Sequence, residues 1–167
     1  MLSKSQIPAS GHQPGFSLEE VHETSLGKSF DYRLLNLVLY ALRCQPPDPL
    51  LLEFLRVDEH LVDIGDDLVD YEGDVVKNSF NIFRAYVHLY GRAAPLKLAE
   101  RISEYEARHV QLLVGLPQQL QQHFRRRQHE AAGSDAALRW SFPQPIFDEG
   151  RFREEHAGDS SSDESSQ

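Results

Sequence analysis

One cysteine, one tryptophan and one methionine stand among 167 residues. Cys44 therefore has no partner for an internal disulfide, which suits a reducing compartment. No apolar run approaches the length of a membrane span, and the N-terminus lacks the continuous apolar block of a secretory signal. The first 18 residues hold no acid. A cytoplasmic chain with a loose start is expected, with a plastid leader as the alternative. No segment sustains period-two alternation, which leaves an all-α fold as the economical solution. Gly-rich phosphate loops, His/Cys metal spacings and Ser-His-Asp arrangements are all missing. The formal charge of -9 argues against nucleic acid, whose phosphates call for clustered Lys and Arg.

What is present is a helical domain between two polar ends. A hydrophobic content of 40% belongs to a folded chain, and the length suits one domain. Residues 1–28, with Pro8, Pro14, Gly11, Gly15 and Gly27, read as an irregular arm. Residues 29–43 predict a helix capped by Ser29, with Leu34, Leu35, Val38, Leu39 and Leu42 on one apolar face. Pro46, Pro47 and Pro49 stop it, and Asp48-Pro49 opens a long helix to Lys77. Asn78-Ser79 marks a break, after which Phe80, Phe83, Val87 and Tyr90 carry a helix to Gly91. Pro95 opens another, with Leu98, Ile102, Tyr105, His109 and Leu112 on one face, and Pro117 opens the fifth, ending near Ala132-Gly133. Trp140, Phe142, Ile146, Phe147 and Phe152 are too apolar for a free tail, so residues 138–153 are expected to lie extended over about five helices. From Glu154 to the end there are five acids and no base, the composition of a disordered tail.

The long helix is acidic and apolar at once. At 100° per residue, Glu59, Asp63, Asp66, Asp67, Asp70 and Asp74 share a stripe about 100° wide, opposite Val57, Leu61, Ile64, Leu68, Tyr71 and Val75. No Lys or Arg lies between Arg56 and Lys77. Like charges at i,i+4 each cost about 0.2–0.5 kcal/mol, so groups from outside the segment must offset the repulsion. Gly65 and Gly73 each cost the helix about 1 kcal/mol, which points to close approach of a backbone or a ligand, or to simple tolerance. Hard divalent cations take oxygen ligands, and Mg²⁺ binds through a few carboxylates and substrate phosphates. Asp66, Asp70 and Asp74, on successive turns, form a ladder for such an ion. An unbroken helix would extend the stripe through Lys77, Asn81, Arg84 and His88 toward phosphate oxygens.

The run Asp66-Asp67-Leu68-Val69-Asp70-Tyr71-Glu72-Gly73-Asp74 resembles the second metal-binding motif of class I terpenoid synthases, where Asn or Asp, then Ser or Thr, then Glu recur at four-residue steps. The helix from Asn78 to Tyr90 and the Leu116-Pro117 step are similar to the elements downstream of that motif in the family. The resemblance implies metal ligation by Asp66, Asp70 and Asp74. It also implies diphosphate binding by Arg33, within Phe30-Asp31-Tyr32-Arg33, by Lys77, and by Arg151, beside Phe152 where the family has Tyr. Asp70 replaces Ser or Thr, and Asp74 is a methylene shorter than Glu. The family's first aspartate-rich motif is missing upstream, although Asp66-Asp67-Leu68-Val69-Asp70 itself spells that motif. On this resemblance the fold is the C-terminal half of a terpenoid synthase, kept as a truncated or weakly active lyase that uses Mg²⁺ to bind an isoprenoid diphosphate.

A rival reading comes from a different class. An acidic stripe on an amphipathic helix is usually a solvated face, and a small helical bundle whose exposed half-core meets a partner serves as an interaction module. Such a module is expected to form homo- or hetero-oligomers, with the Ser/Asp/Glu tail as a phosphorylatable switch.

Overall fold

A computed structural model of the chain describes residues 15–132 and 140–156. All regular structure among them is helical: α1 (Leu18–Leu26), α2 (Asp31–Leu42), α3 (Pro49–Lys77), α4 (Ile82–Tyr90), a 3₁₀ turn (Gly91–Ala93), α5 (Ala94–Gly115), α6 (Gln118–Ala132) and α7 (Glu149–His156). The all-α expectation holds, with two helices beyond the five expected.

Helix α3 is the axis of the bundle. Its 29 residues span about 43 Å at 1.5 Å per residue. Asp48 accepts hydrogen bonds from the backbone N–H groups of Leu50 and Leu51, and Pro49 occupies the first turn, where its missing N–H costs nothing. Asn78 ends the helix in the left-handed region at φ 53, and the Ser79 N–H closes the last turn onto the Asp74 carbonyl at 2.9 Å. The apolar side of α3 packs against α4 and α5. The core joins Phe54, Leu61, Ile64, Leu68, Tyr71 and Val75 to Ile82, Phe83 and Tyr86 of α4, Leu98, Ile102 and Leu112 of α5, and Phe124 of α6.

Part of the expected irregular arm is helical. Ser17 and Glu20 form a reciprocal capping box that starts α1, and Val21 of α1 is buried in the core; residues 1–14 lie outside the described residues. The expected cap of α2 is also different. Phe30 holds that position without a side-chain hydrogen bond, and the Ser29 hydroxyl donates instead to Asp63.

Of the segment expected to lie extended over the helices, residues 140–148 are non-helical and pack on the bundle, and α7 takes in the rest from Glu149; residues 138 and 139 lie outside the described residues. The Trp140 indole N–H donates to Glu106 at 2.9 Å, and the Tyr71 hydroxyl accepts from the Ile146 N–H at 2.9 Å. A Cβ at Gly65 would meet the Trp140 ring at 3.9 Å, an ordinary contact, whereas nothing lies within 4 Å of a Cβ at Gly73. Among the described residues no backbone of another element comes within 4 Å of a Cβ at either position. Helix α7 takes in Glu154, Glu155 and His156, so the tail assigned from Glu154 starts with a helical turn; its remainder, 157–167, lies outside the described residues.

Candidate functional site

Two faces need a functional account: the carboxylates of α3 and the leucines of α2. Half of the acid stripe is internal. Glu59, Asp63 and Asp67 are buried, and each meets a donor from outside the helix. Glu59 receives the Arg33 guanidinium at 2.5 Å and the Arg33 backbone N–H at 3.0 Å. Asp63 accepts from Ser29 at 2.5 Å. Asp67 pairs with Lys28 and accepts the Ile82 N–H at 2.8 Å, at the start of α4. Burial raises the carboxyls of Asp63 and Asp67 above the usual carboxylate range despite these donors. For Lys28, burial works against the charge, but the hydrogen bond and charge of Asp67, with Asp63 and Asp74 behind it, prevail and raise its pKa. The pair shifts both groups upward because Asp67 is 1% exposed and Lys28 41%: desolvation dominates at the buried end and attraction at the wetter one.

The three carboxylates proposed as metal ligands are placed differently. Asp66 and Asp70 are exposed, and among the described residues neither accepts a hydrogen bond or enters an ion pair. Asp74 is half-buried and accepts from the Ser79 hydroxyl at 2.7 Å and the Asn81 amide at 2.9 Å. Among the described residues no group of three or more His, Cys, Asp or Glu side chains is drawn together as a metal site requires, these three included.

The proposed diphosphate ligands lie on three elements. Arg33 is held by Glu59 under α2, Arg151 pairs with Glu155 on the surface of α7 at 2.7 Å, and Lys77 is exposed in the last turn of α3. The break at Asn78 means that Asn81 and Arg84 do not continue the stripe. Asn81 caps α4 and donates to the Asp67 carbonyl at 2.6 Å. Arg84, 0% exposed, gives Glu149 two hydrogen bonds at 2.7 and 2.6 Å and reaches Asn78 and the Ser79 carbonyl. Burial opposes the Glu149 charge, but Arg84 and His88 hold its carboxyl well below the usual range. This pair clamps α7 to the bundle. Nothing in the sequence links positions 65 apart, so the clamp was invisible until the chain was folded.

A second polar centre lies between α1 and α3. His60 is 1% exposed and faces Ser25, and His22 meets the Tyr86 hydroxyl at 2.9 Å. Burial, with Arg101 nearby, lowers both histidines to about 4, and His22 adds to the effect on His60. Both rings are neutral at pH 7.

Helix α2 presents the reverse of a core helix. None of its residues is buried. Leu42 is 77% exposed, Leu35 59%, and Leu34, Leu39 and Val38 between 46% and 49%. These five are the apolar face read from the sequence, and they point away from the bundle. Arg33, turned inward onto Glu59, fixes that rotation. Beside α2 a groove of about 500 Å³ runs toward α3, lined by Phe30, Arg33, Leu34, Leu37, Pro49 and Leu52 among others. No helix of the described residues is long and apolar enough to cross a membrane.

Comparison with protein-family models, with curated proteins and with solved structures returns no match.

Proposed function

We propose that this chain is a non-catalytic helical interaction module whose outward α2 face docks an apolar helix. One observation carries the reading: the five apolar residues spaced to form a single face, Leu34, Leu35, Val38, Leu39 and Leu42, are all 46–77% exposed. Fully burying such a side chain is worth about 1.5–3 kcal/mol, so between about half and three-quarters of that gain is unspent at each position. Contiguous apolar patches of this kind mark interaction sites. The carboxylates of α3, in contrast, are largely committed to internal donors.

The double variant Leu35→Gln/Leu42→Gln tests the reading. Glutamine has a helix propensity close to that of leucine. A docking face predicts a change in stability within about 0.5 kcal/mol, together with loss of the fluorescence of an apolar dye bound to the wild type. A cost of about 2–5 kcal/mol, the range for emptied core positions, sinks the reading.

A second reading keeps the resemblance to class I terpenoid synthases: Mg²⁺-dependent binding of an isoprenoid diphosphate. What favours it is that Asp66 and Asp70, one turn apart, are exposed and without partners among the described residues, and Mg²⁺ is often held by one or two carboxylates plus substrate phosphates. Thermal unfolding with and without Mg²⁺ and inorganic diphosphate separates the two. A ligand bound only by the folded state must raise the transition, and the interaction reading predicts no shift.

A further inference from the structure

Resting on the interaction reading, we infer that the occupant of the α2 face is α2 of a second copy of this chain, packed antiparallel across a two-fold axis.

A two-fold interface must be complementary to itself. The outward stripe of α2 runs Asp31, Leu34, Leu35, Val38, Leu39, Leu42. Turned end for end about the midpoint between Asn36 and Leu37, it superimposes on itself: Leu34 meets the position of Leu39, Leu35 that of Val38, and Asp31 that of Leu42 beside Arg43. Apolar positions therefore meet apolar positions over the middle of the stripe, from Leu34 to Leu39, and each end sets Asp31 of one copy beside Leu42 of the other.

The two ends carry opposite charges. Asp31 and Arg43 are both exposed, and among the described residues neither side chain has a hydrogen bond or ion pair. An antiparallel pair sets Asp31 of each copy opposite Leu42 of the other, one residue from Arg43 and within reach of its long side chain, twice per dimer. It also sets each helix N-terminus beside a C-terminus, which the helix dipoles favour. The one charged residue between these ends, Arg33, faces Glu59 and stays out of the contact. A parallel pair would set Asp31 against Asp31 and Arg43 against Arg43.

Size sets the strength. Twelve residues make a helix about 18 Å long, and two such helices side by side fall short of the roughly 1,200 Å² that stable specific interfaces bury. Phe30, 52% exposed at the start of α2, widens the contact only slightly, so the expected association is weak, in the micromolar range, and dynamic.

Sedimentation velocity of the full chain from about 1 to 300 μM is the test. The expected result is a weight-average mass that climbs from 19.1 kDa toward twice that value. Leu35→Gln/Leu42→Gln should remain at the monomer mass throughout. Asp31→Arg and Arg43→Asp should each weaken association about two- to fivefold, the scale of exposed ion pairs, and the charge-swapped double variant should regain the wild-type constant. Circular dichroism of each variant guards against misfolding. A wild type that stays monomeric while the apolar dye still binds overturns the dimer and leaves the docking face standing. A wild-type dimer that survives Leu35→Gln/Leu42→Gln unchanged overturns the α2 contact. Loss of stability in that variant, without dye binding by the wild type, removes the docking face itself.

Discussion

Helices α2 and α3 lie side by side and spend their side chains in opposite ways. Helix α3 buries carboxylates: Glu59, Asp63 and Asp67 are at most 8% exposed. Helix α2 exposes leucines. The two choices share one cause, the pair between Arg33 and Glu59. By placing its only inward cation on a buried acid of α3, α2 commits its inner edge to a polar contact and sends its apolar face to solvent. A buried ion pair is a weak source of stability but an effective device for fixing register. Here the quantity it fixes is the rotation of a helix about its own axis.

The largest effect should come from removing an internal carboxylate. Asp67→Ala strips Lys28 of its partner and leaves the buried Ile82 N–H at the start of α4 without an acceptor. Leaving a buried donor without its acceptor costs about 1–3 kcal/mol, and Asp67→Ala belongs toward the top of that range, with the 41% exposed Lys28 adding little because water replaces its partner. Asp67→Asn keeps an oxygen for Ile82 and should lose less. Urea unfolding gives both numbers. A cost under about 1 kcal/mol for Asp67→Ala means that the acid face of α3 is no part of the scaffold, and the contrast with α2 fails.

How much of this was legible in the sequence depends on the range over which each determinant acts. The ends of α3 were readable because Asp48, Pro49 and Asn78 act on neighbours within a turn. The core positions of α5 were readable because Leu98, Ile102, His109 and Leu112 recur at helical spacing, and all four are buried. The start of α1 was also written locally, in Ser17 and Glu20, but lay within a stretch that its prolines and glycines suggested was irregular. The orientation of α2 was not readable. Periodicity identifies an apolar face without saying which way it points, and a contact between positions 26 apart decided the matter. The acid stripe was ambiguous for the same reason: its donors, Lys28, Ser29, Arg33 and Asn81, come from flanking segments whose path depends on the fold.

A second effect concerns pH. The folded pKa of His22 and His60 is lowered from 6.5 to about 4. The unfolded chain therefore binds more protons in that window, and stability rises with pH across it. The stabilisation is fully present above pH 6.5 and is lost as pH falls through about 4, at up to about 3 kcal/mol for each histidine. Glu149, held below its usual range, adds a further loss once pH falls below 4.5. His60→Gln should flatten the slope of unfolding free energy between pH 6.5 and 4 by close to one proton. An unchanged slope removes His60 from the account. The leucines of α2 carry no such dependence, so dye binding to that face should stay level until the bundle itself opens.

A third test acts on the shared cause. Replacing both members of the pair that holds α2, as Arg33→Met/Glu59→Met, exchanges buried charges for apolar volume. Such replacements are neutral or stabilising by about 1–4 kcal/mol. With the lock gone, α2 is free to roll its leucines inward, so dye binding should fall while stability holds or rises. Arg33→Met alone leaves Glu59 buried and unpaired, and should destabilise. Should the double variant bind dye as the wild type does, something other than the ion pair sets the rotation.

The smallest effect belongs to Asp66 and Asp70, the acids of the stripe that face solvent. Asp66 and Asp70 are four residues apart, and Asp70 stands in the same relation to Asp74. Each like-charged i,i+4 pair costs about 0.2–0.5 kcal/mol, so Asp66→Asn/Asp70→Asn should gain up to about 1 kcal/mol at low ionic strength. The gain should shrink toward 0.15 M salt, where the Debye length is about 8 Å. The same variant separates repulsion from recognition when Mg²⁺ and diphosphate are added. On the interaction reading both proteins keep their transitions, and the variant stays slightly ahead. If the wild type gains stability with the ligands and the variant does not, the exposed carboxylates form a working site. In that case α3 carries function on its outer edge and α2 is the helix left to explain.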